Sequence, residues 1–172
     1  RQMRIATRLI LSLICAAIAV MWVYALGFAS KEAVNKIGDI EWTQRAEVRC
    51  KQAELQRIEL ADYRLITEPG TGGLSERANL VDRATDTLVE MLADLQADMP
   101  SDEKGRALIP LWIADYNIYI DDRRAYSAQL RNQSNAPFAE STYEGLPLAE
   151  RIATFAGDNR MPSCSPPIDL SV

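Results

Sequence analysis

The stretch Leu9 to Ala29, LILSLICAAIAVMWVYALGFA, constrains this chain more than any other. It carries no charge, and its polar character is confined to Ser12, Cys15 and the amphipathic rings of Trp22 and Tyr24. A helix of about 21 residues rises about 32 Å, enough to cross the ~30 Å hydrocarbon layer of a bilayer. A lone crossing segment has to be helical, because only a helix satisfies its own backbone groups in lipid. Residues 1–30 therefore form a short cytoplasmic stub and a transmembrane anchor, residues 31–38 a juxtamembrane segment, and residues 39–172 a separate polar domain.

Charge around the span sets an expected direction. Arg1, Arg4 and Arg8 precede it with no acid among them, whereas Lys31, Glu32, Lys36 and Asp39 balance one another after it. The positive-inside rule then leaves the N-terminus in the cytoplasm and sends the domain outside, in a single-pass arrangement in the cell membrane. The run is longer than the ~7–15-residue apolar core of a cleaved signal peptide, so a retained anchor is expected, although small residues near Gly27 and Ala29 would suit cleavage. One helix face carries Ser12, Ala16, Ala19, Val23 and Gly27. Small side chains at that spacing let a second helix approach closely, and they are also simply common in spans.

The remaining chain reads as all-α. Trp42, Ala46, Val48, Leu55, Ile58, Leu65 and Ile66 recur at helical steps between about Asp39 and Thr67, where Glu68-Pro69-Gly70-Thr71-Gly72-Gly73 breaks the pattern. A third helix runs from an N-cap at Ser75 to about Asp98, with a stripe of Leu74, Ala78, Val81, Leu88, Leu92, Leu95 and Met99. Pro100 ends it. A fourth starts from an N-cap at Ser101 and continues to about Asn132, with Pro110 expected to kink or restart it. A short helix follows from Pro147 to Phe155, and the proline-rich tail from Asn159 to Val172 is irregular. No strand pattern of useful length stands out. The expected architecture is one transmembrane helix plus an extracytoplasmic antiparallel bundle of three long helices and a shorter one.

Cys50 and Cys164 fall on the same, oxidising side under this topology, which predicts a disulfide. The final segment has to return toward the level of Cys50, and closing a loop of more than a hundred residues favours the fold by ~5 kcal/mol in the chain-entropy model. Unrelated thiols are the alternative; a zinc site would need more than two thiolates in a chain without histidine. Cys15 lies at membrane depth as a small apolar group.

Several chemistries find no support. With no histidine, the chain lacks the commonest general base and metal ligand. Its net charge of −5 is wrong for nucleic acid. The loop at Gly70 lacks the Lys-Ser/Thr of a phosphate-binding loop. The many carboxylates lack the Glu-x-x-His partners of a di-metal bundle and read as solvated helix faces. No catalytic, cofactor-binding or metal-binding residue is expected, and none is assigned.

The most distinctive run is Trp112, Tyr116, Tyr119, Arg123, Tyr126 and Leu130, which share one helix face. Three readings stay open. The stripe is a core in which Arg123 pairs with a buried acid such as Asp62 or Asp86, a docking surface rich in hot-spot residues, or a clamp for a small anionic or aromatic ligand.

The run Asp122-Arg123-Arg124-Ala125-Tyr126 and the ending Asn159-Arg160-Met161-Pro162-Ser163-Cys164, with Pro166, Pro167 and Asp169, resemble uncharacterised single-span membrane proteins of actinobacteria. The resemblance implies the same topology and no activity; by analogy alone, single-span proteins with helical outer domains also serve as accessory subunits of actinobacterial respiratory complexes. The function expected is a non-enzymatic accessory or assembly subunit that contacts other membrane protein subunits and the lipid bilayer. A membrane-anchored sensory or ligand-binding module is the alternative.

Overall fold

A computed structural model describes residues 2–28, 33–60, 73–132 and 137–170. The chain divides into two compact units, Arg1–Val34 and Asn35–Val172. Among the described residues the secondary structure is mostly helical.

The first unit is a single helix, α1 (Gln2–Gly27). Its segment Ile5–Gly27 is long and apolar enough to cross a membrane, and none of it is buried inside the structure. The helix starts before the apolar run and takes in Arg8, while Ala29 lies outside the described residues. Ser12 fits an apolar helix because its hydroxyl donates to the Arg8 carbonyl at 2.9 Å. Ser12, Ala16, Ala19, Val23 and Gly27 are all exposed.

The second unit contains α2 (Ile40–Leu60), α3 (Gly73–Ala97), α4 (Glu103–Arg131) and α5 (Leu148–Asp158). Between α4 and α5 lies a hairpin of two short strands, β1 (Thr142–Tyr143) and β2 (Leu146–Pro147), which the sequence reading missed. Two residues per strand leave no alternation to detect. The signal is Glu144-Gly145, both at positive φ (52° and 83°), as a two-residue type I′ turn requires.

The helices bury faces of different character, α2 one of small residues and α3 one of large aliphatic residues. On α2 that face is Trp42, Ala46, Cys50, Ala53 and Arg57. The expected stripe merged this face with its opposite: Val48, Leu55 and Ile58 are exposed, while Leu65 and Ile66 lie outside the described residues. Alanine and cysteine at the contact let α2 sit close to its neighbours, so the larger aliphatic residues end up outside. On α3 the expected stripe holds from Ala78 to Leu95, with Met99 exposed beyond the helix. Helix α3 begins at Gly73, so Ser75 lies inside its first turn and is not its cap.

Side-chain bonds fix the packing directions. Arg45 bonds to Asp98, and Arg57 to Thr87, so α2 and α3 run in opposite directions. Arg123 bonds to Thr85, and Arg131 to Asn79, so α3 and α4 do as well. Helix α4 passes through Pro110 without interruption. Pro110 is exposed, so the hydrogen bond it cannot make lies on the solvent side, where water serves the freed carbonyl.

Two aspartates join the starts of α2 and α4. Asp39 accepts from the Trp42 N–H at 2.8 Å and caps α2, while its other oxygen accepts from the Ser101 N–H and hydroxyl, both at 2.8 Å. Asp102 accepts from the Gly105 N–H at 2.8 Å and caps α4, and it also accepts from the N–H groups of Gly38 and Asp39, both at 3.1 Å. The cap of α4 is thus Asp102, one residue beyond the expected Ser101, which serves Asp39 instead. A side chain at Gly105 would come within 2.6 Å of Asp102 and 2.7 Å of Pro100, so only glycine fits there. The N-terminal side of α2 is tied to the other end of the unit by Asn159. Its side-chain oxygen accepts from the Ile37 N–H at 2.8 Å, and its amide donates to the Asn35 carbonyl at 3.0 Å.

Donated hydrogen bonds, first from the Ser101 and Trp42 backbones, hold Asp39 down at a pKa of about 2. Burial opposes ionisation of Asp102, but the N–H groups of Gly105, Gly38 and Asp39 outweigh it and keep its carboxyl below the usual value. Both folded values lie below the unfolded value of about 3.9, so the stabilisation is complete above about pH 4 and is lost as pH falls toward 2. Asp39→Asn is expected to lower the melting temperature at neutral pH, with the gap to the unsubstituted protein closing between about pH 4 and 2. Thermal melts followed by circular dichroism at several pH values check this, and a gap independent of pH contradicts it.

Candidate functional site

The aromatic–arginine stripe of α4 lies in the core. Trp112, Tyr116, Tyr119, Arg123, Tyr126 and Leu130 are each at most 3% exposed. The reading of these residues as a docking surface is therefore corrected: in the folded unit a partner does not reach them. Trp112 stacks on Phe155 at 5.4 Å and donates to the Ile152 carbonyl at 3.2 Å, which seats α5. Tyr126 meets Phe138 edge-on at 5.6 Å.

The polar ends of the middle residues all meet the segment after α5. That segment turns in a short 3-10 helix, Pro162–Cys164, and then runs without regular structure. Glu47 of α2 anchors the turn, accepting from the Ser163 N–H at 3.0 Å and from its hydroxyl at 2.6 Å. Cys164 forms the expected disulfide with Cys50, with the two Cα atoms 5.0 Å apart. Beyond it, Tyr116 donates to the Cys164 carbonyl at 2.9 Å and Tyr119 to the Pro167 carbonyl at 3.0 Å. Arg123 grips Asp169 with both terminal nitrogens, at 2.6 and 2.9 Å, and its Nε donates to the Thr85 hydroxyl at 3.0 Å. Leu170 is buried beside Ala78, Val81, Tyr126 and Leu130.

The counter-ion of Arg123 is therefore Asp169. Of the two acids expected in that place, Asp86 pairs with Arg124 and Asp62 lies outside the described residues. The signal for Asp169 was available once Cys50 and Cys164 were paired, because the bond carries a carboxylate five positions farther on toward α4. Helical spacing points only to acids on helices, and the irregular tail carries no spacing that would place Asp169.

The electrostatics follow from burial. Burial works against the charge on Arg123, but the pairing with Asp169 outweighs it and raises its pKa. Tyr116 and Tyr119 are both pushed up by burial, so they are neutral donors at any ordinary pH. Arg57, 7% exposed, is lowered by burial, and its guanidinium donates to Thr87 at 3.4 Å. Among the described residues, the polar groups of Tyr116, Tyr119 and Arg123 are taken up in holding the tail. The Thr85 hydroxyl donates to the Val81 carbonyl while accepting from Arg123, so it has no base to activate it. An enclosed ligand clamp at Arg123 is not what the fold builds, since the tail fills the place a ligand would take. A separate open groove of about 490 Å³ lies between α2 and α3, bordered by Gln56, Glu59, Arg83, Asp86, Thr87 and Glu90.

Asp169→Asn removes the counter-charge of a buried guanidinium and is expected to cost about 3 kcal/mol, the low end for breaking such a pair because Asp169 keeps some contact with water. Replacing Cys50 and Cys164 by alanine removes a cross-link spanning 114 residues and is expected to cost about 5 kcal/mol. Urea denaturation of each variant checks both values. Compared with protein-family models, with curated proteins and with solved structures, the chain matches none of them.

Proposed function

We propose that this chain is a membrane-anchored, non-enzymatic accessory or assembly subunit. In this reading α1 crosses the cell membrane with its N-terminus in the cytoplasm, and the second unit is an extracytoplasmic antiparallel helical bundle. Arg1, Arg4 and Arg8 ahead of the span support that direction. The Cys50–Cys164 disulfide supports it independently, because such bonds persist in oxidising compartments.

The observation that carries the proposal is α1 itself, whose segment Ile5–Gly27 is long and apolar and has none of its residues buried. Lipid covers most of such a surface, and the face of Ser12, Ala16, Ala19, Val23 and Gly27 suits close approach by a helix of another membrane subunit. A side chain added at Gly27 meets nothing within 4 Å, so enlarging it leaves the chain's own packing intact. The aromatic core supports a structural role over a sensory one, because the hydroxyls and guanidinium that would read a ligand are already bonded to the tail.

Purification from native membranes in mild detergent is expected to bring down other membrane proteins. Ala16→Leu with Gly27→Leu is expected to lose them while the chain stays in the membrane fraction. A chain that remains monomeric with no companion overturns the proposal. Alkaline phosphatase fused at the C-terminus is expected to be active, and an inactive fusion overturns the topology.

A further inference from the structure

Helix α4 carries a second seam, turned away from the aromatic stripe that fills the core. Lys104, Ala107, Leu111, Ala114, Ile118 and Asp121 follow steps of three, four, three, four and three, so they share one face. All six are exposed, with Leu111 at 59% and Ile118 at 45%. Asp115 is the sole charge between Ala107 and Ile118, and Arg151 pairs with it at 2.7 Å while lying over the Tyr143 ring at 3.9 Å. Among the described residues Lys104 and Asp121, at the two ends of the seam, make no ion pair.

The order of these side chains is self-complementary. Read from Lys104 it runs cation, small, large, small, large, anion. A copy laid antiparallel presents the same series backwards. Lys104 then meets Asp121, Ala107 meets Ile118, and Leu111 meets Ala114, each twice by symmetry. Every large residue faces a small one, which lets two helices approach closely and interlock. Both ends pair opposite charges. A parallel copy sets each residue against itself, so lysine opposes lysine, aspartate opposes aspartate, and the alanine layers are left underfilled. Size and charge therefore select the same orientation. Such an arrangement is a closed two-fold interface, in which one patch serves both partners.

We infer that the outer face of α4, from Lys104 to Asp121, is a docking surface for a second copy of this chain, packed antiparallel about a two-fold axis midway between Leu111 and Ala114. Charge complementarity at the ends sets the register, and the alternation of alanine with leucine and isoleucine supplies the fit. This contact is separate from the face of α1 and adds a like partner to the companions proposed above.

The test uses the full chain in mild detergent, with Cys15→Ala to remove the exposed thiol. Copies carrying Lys104→Cys and copies carrying Asp121→Cys, differently tagged, are mixed and treated with a short bifunctional maleimide. Crosslinks are expected between the two kinds of copy and not within either kind, because equivalent positions lie ~25 Å apart along an antiparallel pair. Crosslinks between like copies, or none at all, overturn the inference; in the second case the face is left to a foreign helix. Energy transfer between fluorescently labelled copies gives the affinity. Leu111→Glu is expected to weaken association at least about tenfold with an unchanged helical circular dichroism spectrum. Lys104→Asp is expected to weaken it about threefold, and Lys104→Asp together with Asp121→Lys to restore it. Failure of the double exchange to restore association overturns the inference. Association that survives Leu111→Glu and is lost in Gly27→Leu runs through α1 and overturns it as well. If Leu111→Glu loses its helical signal, the crosslinking result decides.

Discussion

The second unit is organised around a guanidinium that water does not reach. Arg123 is fully buried in the middle of α4, among the aromatic residues that make up much of the core. A charge in that position is costly unless it is paired and hydrogen-bonded, and here a neighbouring helix meets one condition and the irregular tail the other. Thr85 supplies one acceptor from α3, and Asp169 supplies the counter-charge from the tail. The tail therefore has a defined location for an electrostatic reason, although it has almost no regular structure. The tyrosine hydroxyls and the disulfide act on the same few residues, so ordering the tail once satisfies several demands together.

The opposite demand, closing helix ends, is met by carboxylates shared between elements. Asp39 and Asp102 each cap their own helix and also accept from the backbone beside the other. Capping is ordinarily local. Here it joins residues more than sixty positions apart, so the starts of α2 and α4 are held in register by shared carboxylates. Asn159 does the same between the end of α5 and the residues before α2. The charged contacts on the outer side of α3 and α4, such as Arg124 with Asp82, are more exposed and contribute little individually.

Helix content was legible in the sequence because apolar spacing and breakers agree: the stripe from Ala78 to Leu95, the stop at Pro100 and the face from Trp112 to Leu130 all appear in the structure. The disulfide was legible too, from redox compartment and chain topology. What escaped depends on tertiary choice. On α2, Val48 and Leu55 are more apolar than Ala46 and Ala53, yet the alanines are buried, because close approach of helices selects for size as well as apolarity. Ser101 and Asp102 both make good caps, and the choice was settled by Asp39, a residue distant in sequence. The partner of Arg123 escaped because its acid belongs to a segment without periodicity, where sequence patterns carry no information about contacts.

The order of these parts along the chain has a kinetic consequence. Synthesis runs from the N-terminus, so Arg57 and Arg123 both emerge before Asp169. Until that carboxylate arrives, the helices can gather but cannot enclose the guanidinium without an isolated charge in a poorly polarisable interior. The core is therefore expected to stay solvated during elongation and to dry only when the segment carrying Asp169 docks, which makes closure of the helices wait on a residue far beyond them in the chain.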